Sequence, residues 1–129
     1  MASLLKVDAL TGVTTAGSIT VTGEGNSTTT NLQQGLAKAW VSKATDSSQS
    51  VAGDSFNGSS FTDIATGSSD ITMINIMNNA EFCVQNTSTS SYPYYGSATS
   101  TSKYRLRTVN SSGSSADGAK NGTVFGDLA

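Results

Sequence analysis

Four of the nine Asp and Glu residues of this 129-residue sequence, Asp54, Asp63, Asp70 and Glu81, are the candidates for catalysis by a pair of carboxylates. Glycoside hydrolysis, and with it the depolymerisation of polysaccharides, needs two carboxyl groups that flank one glycosidic bond. Each of the four lies at a predicted strand end or turn, where acidic side chains commonly form local hydrogen bonds. Because no spacing marks two of them as a pair, the sequence predicts a protein that is not an enzyme.

Composition excludes several other catalytic and cofactor chemistries. The sequence contains no histidine, which excludes Ser-His-Asp catalysis, Cys-His catalysis and His-ligated zinc. Cys83 is the single cysteine, so no intramolecular disulfide can form. The segment Gly23-Glu-Gly25 resembles half of a phosphate loop, but no Gly-Lys-Ser/Thr follows it, and we interpret it as a turn. We expect neither a metal nor an organic cofactor.

Charge and hydropathy narrow the classes of partner. Seven Lys and Arg residues stand against nine Asp and Glu residues, and this net charge of −2 is a poor basis for a nucleic-acid surface. No stretch approaches ~18 consecutive apolar residues, so no transmembrane helix is expected. The first ten residues lack an apolar run behind basic residues and do not resemble a signal peptide. Nucleic acid and membrane are therefore not expected as partners.

Three tyrosines close together form the main candidate for a binding surface. Tyr92, Tyr94 and Tyr95 flank Pro93 within a Ser/Thr-rich stretch, residues 86–102, which we interpret as a loop. A phenol ring offers an apolar face and a polar tip, and this suits stacking on a sugar ring. The same rings could instead pack on a neighbouring subunit or cover the edge of a sheet. The sequence leaves both interpretations open.

Three further side chains have structural interpretations. Trp40 is expected to anchor the core, with a surface contact as the alternative. Arg105 and Arg107 alternate with Tyr104 and Leu106 along a predicted strand, and this alternation places the two arginines on one face. We expect these arginines to form solvated or intersubunit ion pairs.

The overall composition favours an all-β protein with a thin core. Serine (22) and threonine (18) make up nearly a third of the chain, and threonine suits a pleated surface because it is β-branched. Leu, Ile, Val and Phe number only 24, close to the disordered range, but the low net charge and the single proline argue against disorder. So small a supply of apolar side chains favours burial between copies, and we expect an oligomer.

Residues 1–35 differ from the rest and are predicted to form an extended N-terminal arm. They contain no aromatic residue, and their larger apolar side chains are widely spaced. Residues 18–22 alternate as a strand does, and residues 31–38 predict a helical turn with Asn31 as its cap. Since so few apolar residues cannot build a core, the arm is expected to pack on a partner chain, with a frayed tail as the alternative.

Residues 36–129 carry every Phe, Tyr and Trp of the sequence. Asn57-Gly58 is typical of a type I′ β-hairpin, and the run from Ile71 to Met77 is the predicted central strand, with Ile71, Met73, Asn75 and Met77 on one face. Turn signals recur at intervals of about ten residues, which is typical of an antiparallel β-sandwich of seven or eight short strands. The predicted strands cover residues 37–43, 50–56, 59–64, 71–77, 81–85, 103–109 and 123–125.

Several segments of residues 35–129, taken in order, resemble small virion structural proteins and fibre-tip domains of tailed bacteriophages, especially marine ones. Each segment is short, and their order along the domain carries the resemblance. The segments are Gly35-Leu-Ala-Lys-Ala-Trp-Val41, Asp54-Ser-Phe-Asn57, Ser59-Ser60 before Thr62-Asp63, Thr66-Gly67, Ala80-Glu-Phe-Cys-Val84, Tyr104-Arg-Leu-Arg-Thr108, Asn110-Ser-Ser-Gly113 and Val124-Phe-Gly-Asp127.

This resemblance implies a non-enzymatic virion appendage that is a homotrimer. The arm would attach to other virion proteins of the capsid or tail through Leu4, Leu5, Val7 and Leu10, and the β domain would point outward. A short tail or head fibre is the leading hypothesis, in which the three tyrosines contact either a host-surface glycan or a neighbouring subunit. A decoration or knob protein on the capsid shell is the alternative, and a free carbohydrate-binding module is a further one.

Overall fold

The structure, a computed structural model, describes residues 6–11, 19–22, 29–43, 54–88 and 92–129. The chain divides into two compact units, Met1–Leu36 and Ala37–Ala129. Every strand pairing among the described residues is antiparallel, so the predicted all-β class is confirmed.

The first unit holds a two-stranded ribbon and one helical turn among its described residues. Strands β1 (Thr20–Thr22) and β2 (Thr29–Asn31) pair antiparallel. The turn α1 (Leu32–Gly35) follows directly on β2, at the position that the sequence predicts. The backbone N–H of Leu32 donates to the carbonyl of Ile19 at 2.9 Å, which joins the start of α1 to the strand region of the same unit.

The second unit consists of two four-stranded antiparallel sheets. Sheet I has the strand order β4-β3-β10-β7, and sheet II has the order β5-β6-β9-β8. The strands of sheet I are β3 (Ala39–Lys43), β4 (Ser55–Phe56), β7 (Cys83–Thr87) and β10 (Lys120–Phe125). The strands of sheet II are β5 (Gly58–Ala65), β6 (Ser68–Met73), β8 (Tyr92–Ser100) and β9 (Lys103–Val109).

The two sheets contribute side chains to one hydrophobic core, as in a β-sandwich. On β9, Tyr104 and Leu106 are fully buried and alternate with the partly exposed arginines, as the sequence predicts. Sheet I supplies Ala39, Val41 and Val124 to the same cluster. Strand alternation thus brings these apolar side chains of a polar sequence to a single interior.

The central strand β6 is shorter than predicted at one end and longer at the other, and its buried apolar residues belong to one of the two predicted faces, of which Asn75 is exposed. Ile71, Met73 and Met77 are buried, while Ile74 and Ile76 are 65% and 46% exposed. The strand itself ends at Met73. The alternation of the sequence therefore continues past the hydrogen-bonded ladder into the following connection.

The predicted hairpin at Asn57-Gly58 is wrong. Strand β4 pairs with β3 of sheet I, whereas β5 pairs with β6 of sheet II, so the chain changes sheets at this point. A type I′ turn needs positive φ at both central residues. Only Asn57, with φ of 59°, has it, because the chain crosses between layers here and does not fold back on itself.

Two other expectations also need correction. Residues 92–100 form strand β8 and not a loop, since Tyr, Ser and Thr suit a pleated surface and Pro93 is tolerated in a strand at a sheet edge. Trp40 is half-buried and not the core anchor. Its neighbours Ala39 and Val41 point into the core, and alternation therefore turns the indole to the outer face of sheet I.

Tyr104 is fully buried, and its hydroxyl has no hydrogen-bond partner among the described residues. Burial raises the pKa of this phenol above its ordinary value of about 10, since a phenolate could not be solvated in the core. An unpaired buried hydroxyl costs about 1–3 kcal/mol of folding free energy. The core therefore carries one polar atom that it does not need for packing.

Tyr104→Phe is expected to raise the free energy of unfolding by about 1 kcal/mol at neutral pH, because the ring stays and the unpaired hydroxyl leaves. Above pH 10 the unfolded chain loses the Tyr104 proton while the folded chain keeps it, so wild-type stability falls by about 1.4 kcal/mol per pH unit through this group. The variant lacks that slope. Urea titrations at pH 7, 10 and 11 measure both effects, with the exposed Tyr92→Phe as control. Equal slopes for Tyr104→Phe and wild type would contradict this assignment.

Candidate binding surface

The four candidate carboxylates lie on different elements of the second unit. Asp70 of β6 accepts two hydrogen bonds from Arg105 of β9, at 2.6 Å to Nε and 2.9 Å to Nη2. This ion pair lies within one chain, which corrects the expectation of a solvated or intersubunit pair for Arg105. The three other carboxylates are exposed, before β4, within β5 and before β7: Asp54, Asp63 and Glu81.

The three candidate tyrosines lie together on β8, an outermost strand of sheet II. Tyr92 is 60% exposed, Tyr94 is 61% exposed and Tyr95 is 40% exposed. We call these three residues the tyrosine edge. Three exposed aromatic side chains on one strand mark a place on the described surface where a ligand could stack.

A β-bulge brings two of these rings to the same face of the sheet. Pro93 pairs with Thr108 and Tyr95 pairs with Arg107, so β8 takes two steps while β9 takes one and Tyr94 is the extra residue. Neighbouring side chains on a regular strand point to opposite faces, and a bulge breaks that rule. The Tyr94 and Tyr95 ring centroids accordingly lie 5.1 Å apart, with the planes inclined at 53°.

Arg107 lies beneath this pair of rings. Its guanidinium carbon is 5.9 Å from the Tyr94 ring centroid and 5.3 Å from that of Tyr95, within the range of a cation–π contact. Nη1 donates to the hydroxyl of Tyr95 at 2.9 Å, and Nη2 donates to Oγ of Ser115 at 3.4 Å. No carboxylate among the described residues pairs with Arg107, in contrast to Arg105. The surface therefore combines two aromatic rings with one uncompensated positive charge.

Strand β7 of sheet I holds the backbone of this surface. Nδ2 of Asn86 donates to the carbonyl of Arg107 at 2.6 Å and to that of Tyr95 at 3.2 Å. Next to it the two sheets approach so closely that a Cβ on Gly96 would lie 2.5 Å from Cγ1 of Val84 and 2.8 Å from the Val84 carbonyl oxygen. Glycine is therefore required here, and the contact between β7 and β8 fixes the strand that carries the rings.

The sequence singles out the three tyrosines as a candidate binding surface, but it does not show that Arg107 lies beside them. It placed Arg105 and Arg107 on the outer face of one strand without showing that this strand pairs with β8. The alternation of β9 was the available signal for the face, whereas the pairing of β8 with β9 and the bulge at Tyr94 involve no local pattern.

The predicted anchoring residues of the arm are described only in part. Leu4 and Leu5 lie outside the described residues. Val7 is 55% exposed and Leu10 is 52% exposed. Among the described residues of the first unit for which side-chain burial is assigned, none is buried, and Val21 and Leu36 are also more than half exposed.

Within the described ranges, no group of three or more His, Cys, Asp or Glu side chains is arranged to hold a metal ion. The part of the chain that is described contains no helix long and apolar enough to cross a membrane. Comparison of the chain with protein-family models, with curated proteins and with solved structures found no match.

Proposed function

We propose that this chain is a non-enzymatic structural subunit of a phage virion, a short homotrimeric fibre or appendage of the tail or head. Residues 1–35 join it to its sister copies and to other virion proteins, and residues 36–129 form its outer β-sandwich. The resemblance of residues 35–129 to virion structural and fibre-tip domains supports the proposal, as does the all-β antiparallel fold. Decoration of the capsid shell is the alternative location.

The exposed apolar side chains of the first unit are the observation that carries this proposal. Val7, Leu10, Val21 and Leu36 are each more than half exposed, and no described side chain of the unit with assigned burial is buried. Exposed apolar side chains without a core of their own gain most of their stabilisation by association, at about 25 cal/mol per Å² of area removed from water. A sister copy and the particle are the surfaces that a virion arm contacts.

Val7→Asp combined with Leu10→Asp is expected to convert a trimer into a monomer, because two charges replace apolar contacts at the association surface. Light scattering should give about three times 13.1 kDa for the wild-type chain and 13.1 kDa for the variant, with unchanged far-UV circular dichroism. The matched control is Ser60→Asp with Thr62→Asp, which adds the same charge to the exposed strand β5. A stable wild-type monomer would contradict the proposal.

Antibody labelling of purified particles of the phage that carries this gene tests the location. Label on the tail or at one vertex supports a fibre, and label spread over the shell supports decoration. Particles that carry no label would refute a structural role in the virion.

The tyrosine edge favours a second candidate function, a carbohydrate-binding module. Its rings are exposed and grouped on one face, which is the arrangement that sugar stacking needs. The two candidate functions differ in the oligomeric state that binds. A free module binds glycans as a monomer, whereas an appendage uses the same surface to contact the host from a particle. Glycan titration of the monomeric Val7→Asp, Leu10→Asp variant distinguishes the two functions.

A further inference from the structure

We propose that the tyrosine edge together with Arg107 binds an acidic saccharide, a glycan whose sugars carry carboxylates. The inference deepens the proposed contact with a host surface and rests on it in that respect. It names the chemical class of the ligand and adds Arg107 as the residue that selects for charge.

Stacking on the two rings is the first part of the recognition. The Tyr94 and Tyr95 ring centroids lie 5.1 Å apart and the ring planes are inclined at 53°, so the two rings offer a ligand two aromatic faces that differ in direction. The C–H groups on one side of a pyranose ring form an apolar face that stacks on an aromatic ring, while the hydroxyls at its rim reach polar tips. The bulge that aligns the rings thus produces a platform for sugars of several kinds.

Arg107 adds a preference for a negative charge. A guanidinium has five N–H donors, of which Arg107 gives one to the Tyr95 hydroxyl and one to Ser115, so the others remain for a ligand. The 2.9 Å bond to the Tyr95 hydroxyl orients the group, and a carboxylate accepts a pair of bonds from a guanidinium plane. The neighbouring Arg105 has already satisfied its charge with Asp70 at 2.6 Å. The positive charge at the rings is therefore available to a ligand.

The rest of β8 favours a saccharide over a protein partner. Beyond the tyrosines the strand continues as Gly96, Ser97, Ala98, Thr99 and Ser100, which are small or hydroxyl-bearing residues. Tyr and Arg are themselves enriched at protein interfaces, but the centre of such an interface is apolar and desolvated, and β8 offers no large apolar side chain beyond the rings. Hydroxyl groups next to exposed aromatic rings suit the many hydroxyls of a glycan.

Isothermal titration of the purified full chain with two matched probes tests the proposal. The probes are an oligomannuronate and the same oligosaccharide after reduction of its carboxyl groups. We expect the wild-type Kd to be lower for the acidic probe by about tenfold or more, as a charge-assisted paired hydrogen bond predicts. Arg107→Gln should abolish that difference, Arg107→Lys should keep part of it, and Tyr94→Ala should weaken binding of both probes.

Lys103→Gln is the matched control, because Lys103 is an exposed cation on β9, the strand that also carries Arg107. This substitution should leave the Kd values for both probes unchanged. Equal affinity of the wild type for the two probes, or no binding of either, would overturn the proposal. So would an equal effect of Arg107→Gln and Lys103→Gln. If Tyr94→Ala dissociates an oligomer and the wild type binds neither probe, the tyrosine edge is an interface between copies. Since titration needs no particle, its result is independent of the labelling that tests a virion role.

Discussion

Replacing Gly67 with alanine is expected to prevent stable folding of residues 37–129. Gly67 has φ of 70°, and a Cβ there would lie 2.4 Å from the Thr108 carbonyl oxygen and 2.8 Å from the Ala116 nitrogen. Both contacts are with backbone, which cannot rotate away as a side chain does. The same close approach carries hydrogen bonds, since the Gly67 carbonyl accepts from Thr108 N–H at 2.8 Å and Gly67 N–H donates to Asp117 at 2.6 Å.

We expect Gly67→Ala to lower the free energy of unfolding by more than about 4 kcal/mol, within the rare class of severe single substitutions. Gly113→Ala is the matched control, because Gly113 also has positive φ, of 80°, but no atom within 4 Å of its Cβ position. The control should lose only the cost of the backbone conformation, about 1–2 kcal/mol. Urea denaturation followed by circular dichroism measures both variants. Similar losses in the two would show that the contacts with Thr108 and Ala116 are not what matters.

Asn57→Ala is expected to cost about 3–5 kcal/mol, because three hydrogen bonds of a buried amide disappear together. Nδ2 of Asn57 donates to the carbonyls of Lys38 and Asn75, each at 3.0 Å, and Oδ1 accepts from Asn75 N–H at 2.6 Å. Its own carbonyl accepts from Ile74 N–H at 3.1 Å. The side chain thus joins the start of β3, the crossing between the sheets and the connection after β6.

Two variants separate the hydrogen bonds from the backbone conformation at this position. Asn57→Gly permits φ of 59° but removes the amide, so it should remain about as unstable as a loss of three bonds predicts. Asn110→Ala removes an amide oxygen that accepts three bonds at the surface, and it should cost about 1 kcal/mol or less. Thermal unfolding ranks the three. A wild-type melting temperature for Asn57→Gly would mean that the amide contributes nothing.

Local alternation explains which parts of this fold follow from sequence. Period-two patterns within single strands account for several of the observed positions. They account for the buried pairs Tyr104 and Leu106, and Ile71 and Met73, and for the exposed Cys83. Such patterns divide a strand into two faces, whichever strands pair with it. They do not always tell which face is inward, since Trp40 is predicted to anchor the core and the structure turns its indole outward.

Pairing between strands does not follow from the same patterns. Asn57-Gly58 has the composition of a hairpin turn, but Asn57 serves a crossing between sheets, because its buried amide bonds backbone groups 18 and 19 residues away in sequence. Residues 92–100 have a loop-like composition, yet β9 and Asn86 supply hydrogen bonds that order them as a strand. In both places contacts distant in sequence outweigh the local preference.

The platform formed by the Tyr94 and Tyr95 rings depends on the number of residues in β8 as well as on their types, because Tyr94 is the extra residue of the bulge. Deleting Tyr94 restores the simple two-residue repeat and removes one of the two rings, while the pairing of Tyr95 to Ala98 with β9 keeps its register. A single-codon insertion or deletion can thus create or erase the platform in one genetic step. Under the proposed function, a change of one residue at this position would alter what the surface binds and leave the rest of the fold intact.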